Sequence, residues 1–354
     1  MNFGTKRGKG APRIGLAAGI ALALAAPGTA SAAEVDGPAV FWKWSTWTTS
    51  SAFTAGVEYM AEQLAEKTDG KFQLRIFYSE QLAKARENLD GLKNNAFEGA
   101  MFCNFYNPGR TPAYTVFSLP FIDLAGFDVS YHARNGLAQH PVLLEELAAW
   151  NAMPYASVNA PMYEFMGVGE APTTLEGWEG LRLRAGGGIG EAMEILGARR
   201  QTVPASEAYT LMQRGGVDGV ALPFTYAFET YQIAELGDWF TSNLGAGTSE
   251  CPMVINKTAY EALPPQYQEL LMSLREGASR AIYEQYQTAD DRLLPEFRDA
   301  MQEIVYDDAT LAEFQRVAGQ PVWDAWVEAN KDKFDAQGVL DELQALIAEA
   351  KAGQ

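Results

Sequence analysis

Apolar residues along this chain recur at two spacings, every second position in short runs and every third or fourth in longer ones. Ala39 to Trp44 reads as a strand, with Trp42 and Trp44 on one face and Phe41 and Lys43 on the other. Ser50 or Ser51 then caps a helix whose Phe53, Val57, Met60 and Leu64 repeat at helical spacing. Phe72 to Phe77 alternates like a strand, and Leu82 to Asn95 reads as a helix. Gly99 to Phe105 is nearly all apolar, the pattern of a central strand buried on both faces. This order predicts a doubly wound α/β sheet.

A second such unit follows. Tyr131 to Trp150 is helical in pattern, and a strand lies around Tyr155 to Asn159. Another strand ends at Arg184, with helices near Ile189 to Leu196 and after Ser206, and Val217 to Leu222 is again a strand. Pro252 to Ile255 is one more. From Pro264 the chain turns helical with few breaks before Ile304, and at about 1.5 Å per residue such a helix bridges two domains. Helices near Leu311 to Asn330 and Val339 to Ala350 close the chain.

The first residues stand apart. Lys6, Arg7, Lys9 and Arg13 precede an apolar run, Ile14 to Ala26, and then Ala30-Ser31-Ala32. A basic start, a run too short to span a bilayer and a small-x-small site together predict a cleaved secretory leader over residues 1–32. With no Arg-Arg pair in it, the Sec route is favoured over the twin-arginine one. The address is the periplasm. The net charge is −18, and loss of the leader takes it to about −22. So acidic a body repels nucleic acid and anionic lipid, and no later run is apolar enough to insert in a membrane.

Enzymatic chemistry finds little support. There are two histidines, His132 and His140, and no H-E-x-x-H, G-x-S-x-G or P-loop pattern. Neither a cofactor nor a metal site is expected. Cys103 and Cys251 have the choice of an export-compartment bridge or two buried thiols, and the thiols are the default in a domain of this size. Gly186, Gly187, Gly188 and Gly190 follow a strand and precede a helix, but Met193 stands where a dinucleotide fingerprint needs its third glycine. They read as a tight turn whose amides face an anion at most.

What remains is Leu181-Arg182-Leu183-Arg184, a short strand delivering an arginine to its end. A guanidinium on rigid backbone is a fork for a carboxylate. Arg182 and Arg184 share a parity, so spacing alone does not choose between them.

Several ordered motifs carry a resemblance. Lys67-Thr68-Asp69-Gly70-Lys71, Tyr78-Ser79-Glu80-Gln81-Leu82 and Ser118-Leu119-Pro120-Phe121 come first. Leu175 to Arg184 has the form L-x-x-x-x-G-L-K-I-R, with Arg182 and Leu183 at the K and I positions. Val203-Pro204-Ala205-Ser206-Glu207-Ala208-Tyr209, Gln213 to Gly219 and Leu263-Pro264-Pro265 complete the series. From about Val40 to about Ile304 the chain resembles the solute-binding subunits of tripartite ATP-independent periplasmic (TRAP) transporters, the dicarboxylate-type DctP group.

The resemblance implies a two-lobed periplasmic-binding-protein fold with hinge-crossing strands and a long helix spanning both lobes. Lobe I takes residues 33–158 and about 251–285; lobe II takes 159–250 and about 286–354. It implies a receptor, not an enzyme, that closes on a small organic acid or zwitterion and hands it to TRAP membrane subunits. Arg184 falls at the family's carboxylate-gripping arginine. A second family arginine falls at Glu164, and an asparagine often found after V-D-G is replaced by Leu222. Both departures favour a monocarboxylate over a dicarboxylate: an oxo or hydroxy acid, an amino-acid-like zwitterion or a betaine.

In such a fold strand ends face the ligand. Trp44, Trp47, Phe105, Phe224 and Tyr226 are therefore candidate walls, Asn104 is a candidate hydrogen-bonding partner, and Glu164 and Glu250, flanking the lobe crossings, are candidates to face the cleft, Glu164 as reader of a positive group or a hydroxyl. The alternatives are a binding protein of an ATP-driven importer, a ligand-sensing partner of a signalling receptor, and a secreted α/β enzyme.

Overall fold

The structure, a computed structural model, describes residues 34–353. The expected leader lies outside them. Among the described residues, eleven strands form two sheets. The first holds β1 (Val40–Ser45), β2 (Phe72–Phe77), β3 (Gly99–Met101), β4 (Ala152–Ala156) and, from far along the chain, β10 (Met253–Asn256), in the order β2-β1-β3-β10-β4. The second holds β5 (Tyr163–Gly167), β6 (Arg182–Arg184), β7 (Arg199–Gln201), β8 (Gly219–Pro223), β9 (Trp239–Thr241) and β11 (Gln302–Ile304), in the order β11-β9-β5-β8-β6-β7.

Each sheet is parallel apart from one returning strand. β10 runs antiparallel between β3 and β4, and β5 runs antiparallel between β8 and β9. Those two strands follow the two chain crossings between sheets, residues 157–162 and 242–252. The expected two-lobed α/β architecture therefore holds, with hinge strands inserted into both sheets.

A helix over Arg275–Ala300 makes the third connection. At about 1.5 Å per residue it is about 39 Å long. Ile282 and Tyr286 pack into the apolar cluster of the first sheet, while Ala289, Leu293 and Phe297 pack into that of the second. Their three- and four-residue spacing keeps one face against both lobes. The last helix, Ala336–Ala352, was expected with the second lobe; it packs instead on the helix Phe127–Leu137, which lies between β3 and β4.

Several elements depart from the sequence expectation. The helix expected over residues 82–95 covers only Asn88–Lys93, because the Glu80 carboxylate accepts the Ala85 N–H at 2.9 Å and holds the preceding stretch in turns. The strand expected to reach Phe105 stops at Met101, and a 3-10 turn, Asn104–Tyr106, follows it.

Cys103 and Cys251 are joined in a disulfide, correcting the expectation of two thiols. The segments that carry them leave the neighbouring strands β3 and β10, so the pairing brings them together. The bridge closes a span of 148 residues. By limiting the unfolded chain, a link of that length contributes about 2–5 kcal/mol. Reduction, or Cys103→Ser with Cys251→Ser, is expected to lower the denaturation free energy by that amount in urea titrations with and without reductant.

Candidate functional site

The cavity that gathers the predicted residues lies between the lobes. Trp47, Ser51, Phe53, Phe105, Tyr106 and the disulfide-bonded Cys103 and Cys251 line it from the first lobe and its crossing. Tyr163, Arg184, Pro223, Tyr226 and Tyr231 line it from the second, and Tyr286 reaches in from the long helix. The space open to the centre of a water-sized sphere is about 40 Å³. Arg184 is the one formal charge on its wall among the described residues.

Arg184 is 1% exposed. Its Nε and one terminal nitrogen donate to the Val203 carbonyl at 3.0 and 2.9 Å, and the other terminal nitrogen donates to the Ala221 carbonyl at 2.8 Å. These bonds fix the plane of the fork and leave one N–H on each terminal nitrogen free of a protein acceptor among the described residues. No carboxylate lies in salt-bridge range of it there. A buried guanidinium held only by neutral carbonyls has an uncompensated charge, and an anion in the cavity is the partner that would relieve it. Arg182, on the same strand parity, is spoken for: its Nε meets the Asp218 carboxylate at 2.9 Å in a partly exposed pair.

The remaining wall is aromatic with hydroxyl tips. Tyr163 and Ser249 share a hydrogen bond of 2.8 Å, and the Tyr106 hydroxyl accepts the Ala205 N–H at 3.0 Å, joining the two lobes. Burial pushes Tyr163 and Tyr231 up to about 12, so both stay neutral donors at ordinary pH. The Ser51 hydroxyl has no hydrogen-bond partner among the described residues.

Four of the nine predicted site residues meet here: Arg184, Trp47, Phe105 and Tyr226. Five do not. Trp44 is wholly buried under β3, where a Cβ on Gly99 would lie 2.2 Å from its ring; only Trp47, in the turn beyond the strand, reaches the cavity. Asn104 donates to the Tyr114 carbonyl at 2.6 Å and accepts the Phe105 N–H at 2.7 Å, so it shapes the turn that presents Phe105. Phe224, just past β8, stacks on Phe240 and lines a different cavity. Glu250 is buried in an ion pair with Arg134, whose guanidinium also bonds Thr248 and Ser130, so it faces no ligand. Burial raises its carboxyl while Arg134 pulls it down.

Glu164 also points away, because successive residues of β5 face opposite sides and Tyr163 takes the cavity side. Its carboxylate accepts from Thr241 Oγ1 at 2.5 Å, the Leu244 N–H at 3.2 Å and the Gly245 N–H at 2.8 Å. Burial nonetheless pushes it up to about 7, and burial does the same to Glu146. Both lie above the ordinary value of 4.5, so between pH 4.5 and 7 the folded chain holds protons that the unfolded chain has released. Stability then falls as pH rises through that window. Denaturant titrations are expected to give a more stable protein at pH 5 than at pH 8, with a shallower dependence in Glu146→Gln.

The glycines form the expected turn between β6 and the helix Gly187–Ile195, and they have a further use. A Cβ on Gly186 would lie 2.5 Å from the Phe105 ring, and one on Gly188 would lie 2.6 Å from the Ser118 carbonyl oxygen. These glycines let the second lobe approach the Phe105 to Leu119 stretch of the first.

Residues 45–330 match bacterial extracellular solute-binding protein, family 7, the DctP family. The chain belongs to that family. Among its relatives, a monocarboxylate 2-oxoacid-binding periplasmic protein of Nostoc is 23% identical over 86% of this chain and 88% of its own. The C4-dicarboxylate-binding periplasmic protein of Rhodobacter capsulatus is 25% identical over 73% of this chain and 75% of its own. Solved DctP-type structures share the fold. A Bordetella pertussis extracytoplasmic solute receptor binding pyroglutamic acid has a TM-score of 0.76 at 20% identity, over 86% of this chain and 100% of its own. A marine metagenome TRAP protein in complex with 3-hydroxybenzoate has a TM-score of 0.77 at 18% identity, over 89% and 99%. The chain is thus a family 7 solute-binding protein, as its motifs implied.

Sequence reasoning missed Tyr163, Tyr231 and Tyr286. The run of β5 is buried at every position and shows no alternation, and nothing local marks one tyrosine of the long helix as the one that enters the cleft.

Proposed function

We propose that this DctP-family protein is a periplasmic receptor for a compact monocarboxylate, which it delivers to the membrane subunits of a TRAP transporter. The observation that carries this is Arg184, buried and, among the described residues, without an acidic partner on an otherwise neutral cavity wall. One cation balances one carboxylate, and in a closed, water-poor space the attraction is stronger than in bulk. A second carboxylate would be buried without a counter-charge, which is costly. A zwitterion would leave its ammonium without an acid, since Glu164 and Glu250 face elsewhere. The small cavity and its tyrosine and serine hydroxyls suit an oxo or hydroxy acid of few heavy atoms.

The long helix joining both lobes agrees with the TRAP type over the binding protein of an ATP-driven importer. Among the described residues no helix is long and apolar enough to cross a membrane, so the membrane work falls to partners.

A thermal-shift screen of small acids tests the reading, because a ligand of the native state raises its apparent stability. Short monocarboxylates are expected to raise the melting temperature, their amides and C4 dicarboxylates to leave it unmoved. A screen in which dicarboxylates stabilise and monocarboxylates do not would overturn it.

A further inference from the structure

Behind the solute cavity, on the other side of β5, lies a second space of about 230 Å³. All three connections between the lobes contribute to its wall: Asn159 and Met162 from the first crossing, Ser242 from the second, and Tyr283 and Gln287 from the long helix. Glu164 is its one formal charge.

Two observations mark this space as a site. Asn159 is 1% exposed, and both its amide nitrogen and its amide oxygen lack a partner among the described residues. A buried amide with neither end satisfied is rare in a folded protein unless something occupies the space beside it. Glu164, 4% exposed, accepts three neutral donors and has no cation in salt-bridge range among the described residues. Above about pH 7, where Glu164 is ionised, its charge is therefore hydrogen-bonded but not neutralised, and the site is to be examined there. No cluster of three His, Cys, Asp or Glu side chains exists among the described residues, so the multi-carboxylate cage of a divalent ion is missing. One carboxylate and a neutral amide oxygen match a single positive charge.

We propose that this hinge cavity binds a small monovalent cation, held by the Glu164 carboxylate and the Asn159 amide oxygen. Sodium, potassium and ammonium share the needed chemistry. Lobe rotation must change a cavity walled by every connection, so its occupant has different affinities for the open and closed forms. An ion that favours the closed form raises solute affinity, and the solute raises ion affinity by the same factor. This coupling rests on the solute-receptor reading, whereas the ion site itself does not.

The test uses solute-free mature protein in sodium, potassium, ammonium and choline chlorides at one ionic strength. At least one of the three small ions is expected to give a saturable rise in melting temperature over choline, with ²³Na line broadening if the ion is sodium. Asn159→Leu, which fills the space, and Glu164→Gln should abolish the effect, and Arg184→Ala should keep it. With solute present, the saturating ion should raise affinity about five-fold or more. Equal behaviour in all four salts, meaning that water fills the cavity, would overturn the proposal. So would an ion effect that survives in Asn159→Leu, a variant that keeps the test open if Glu164→Gln does not fold.

Discussion

Arg184→Ala is expected to weaken binding of the cognate monocarboxylate by about a hundredfold or more, the usual cost of truncating one partner of a buried charge pair. Among the described residues, the substitution removes the single cation on the cavity wall and no neighbour replaces it: Arg182 is bound to Asp218 and Arg134 to Glu250. The fold should survive. The protein loses hydrogen bonds to Val203 and Ala221 but also sheds a buried charge that has no acidic partner among the described residues. Arg184→Lys keeps the charge without the planar fork and should fall between the two. Calorimetric titration of the three proteins reads the effect, and equal affinities would remove the arginine from the site.

Gly188→Ala should separate closure from stability. Gly188 lies inside the helix Gly187–Ile195, where alanine is favoured over glycine by about 1 kcal/mol. The new methyl would nevertheless stand 2.6 Å from the Ser118 carbonyl oxygen and 3.1 Å from the Leu119 Cα. Both are backbone atoms, so the clash is relieved only if the lobes part. Solute affinity is expected to drop at least tenfold while the melting temperature of empty protein holds or rises. Unchanged affinity would show that this contact is not part of the closed state.

The sequence made the scaffold readable to different depths in different places. β1 and β2 have enough positions to display a period and lie within a few residues of expectation, whereas the helical stretch expected from Pro264 is divided at Leu274 into Pro265–Ser273 and Arg275–Ala300. β7, β9 and β11 have three residues each, too few for any period. Within the site, Arg184 was legible because a motif singled it out from Arg182; the physical distinction is the Asp218 carboxylate, which only the pairing of β6 with β8 brings to Arg182. Neighbours along the chain were harder to separate. Tyr163 and Glu164, or Pro223 and Phe224, differ by one residue and face different cavities, and a register of that kind is fixed by tertiary pairing. Glu250 was misjudged for a related reason, since its partner Arg134 is 116 residues away and nothing local announces the pair.

A crystal structure of the protein with a bound short monocarboxylate examines the central claim without intermediaries. The solute's two carboxylate oxygens should lie about 2.7–2.9 Å from the two terminal nitrogens of Arg184, between the Trp47 and Tyr163 walls. A carboxylate seated away from Arg184, with both of those nitrogens still bound only to backbone carbonyls, would contradict it.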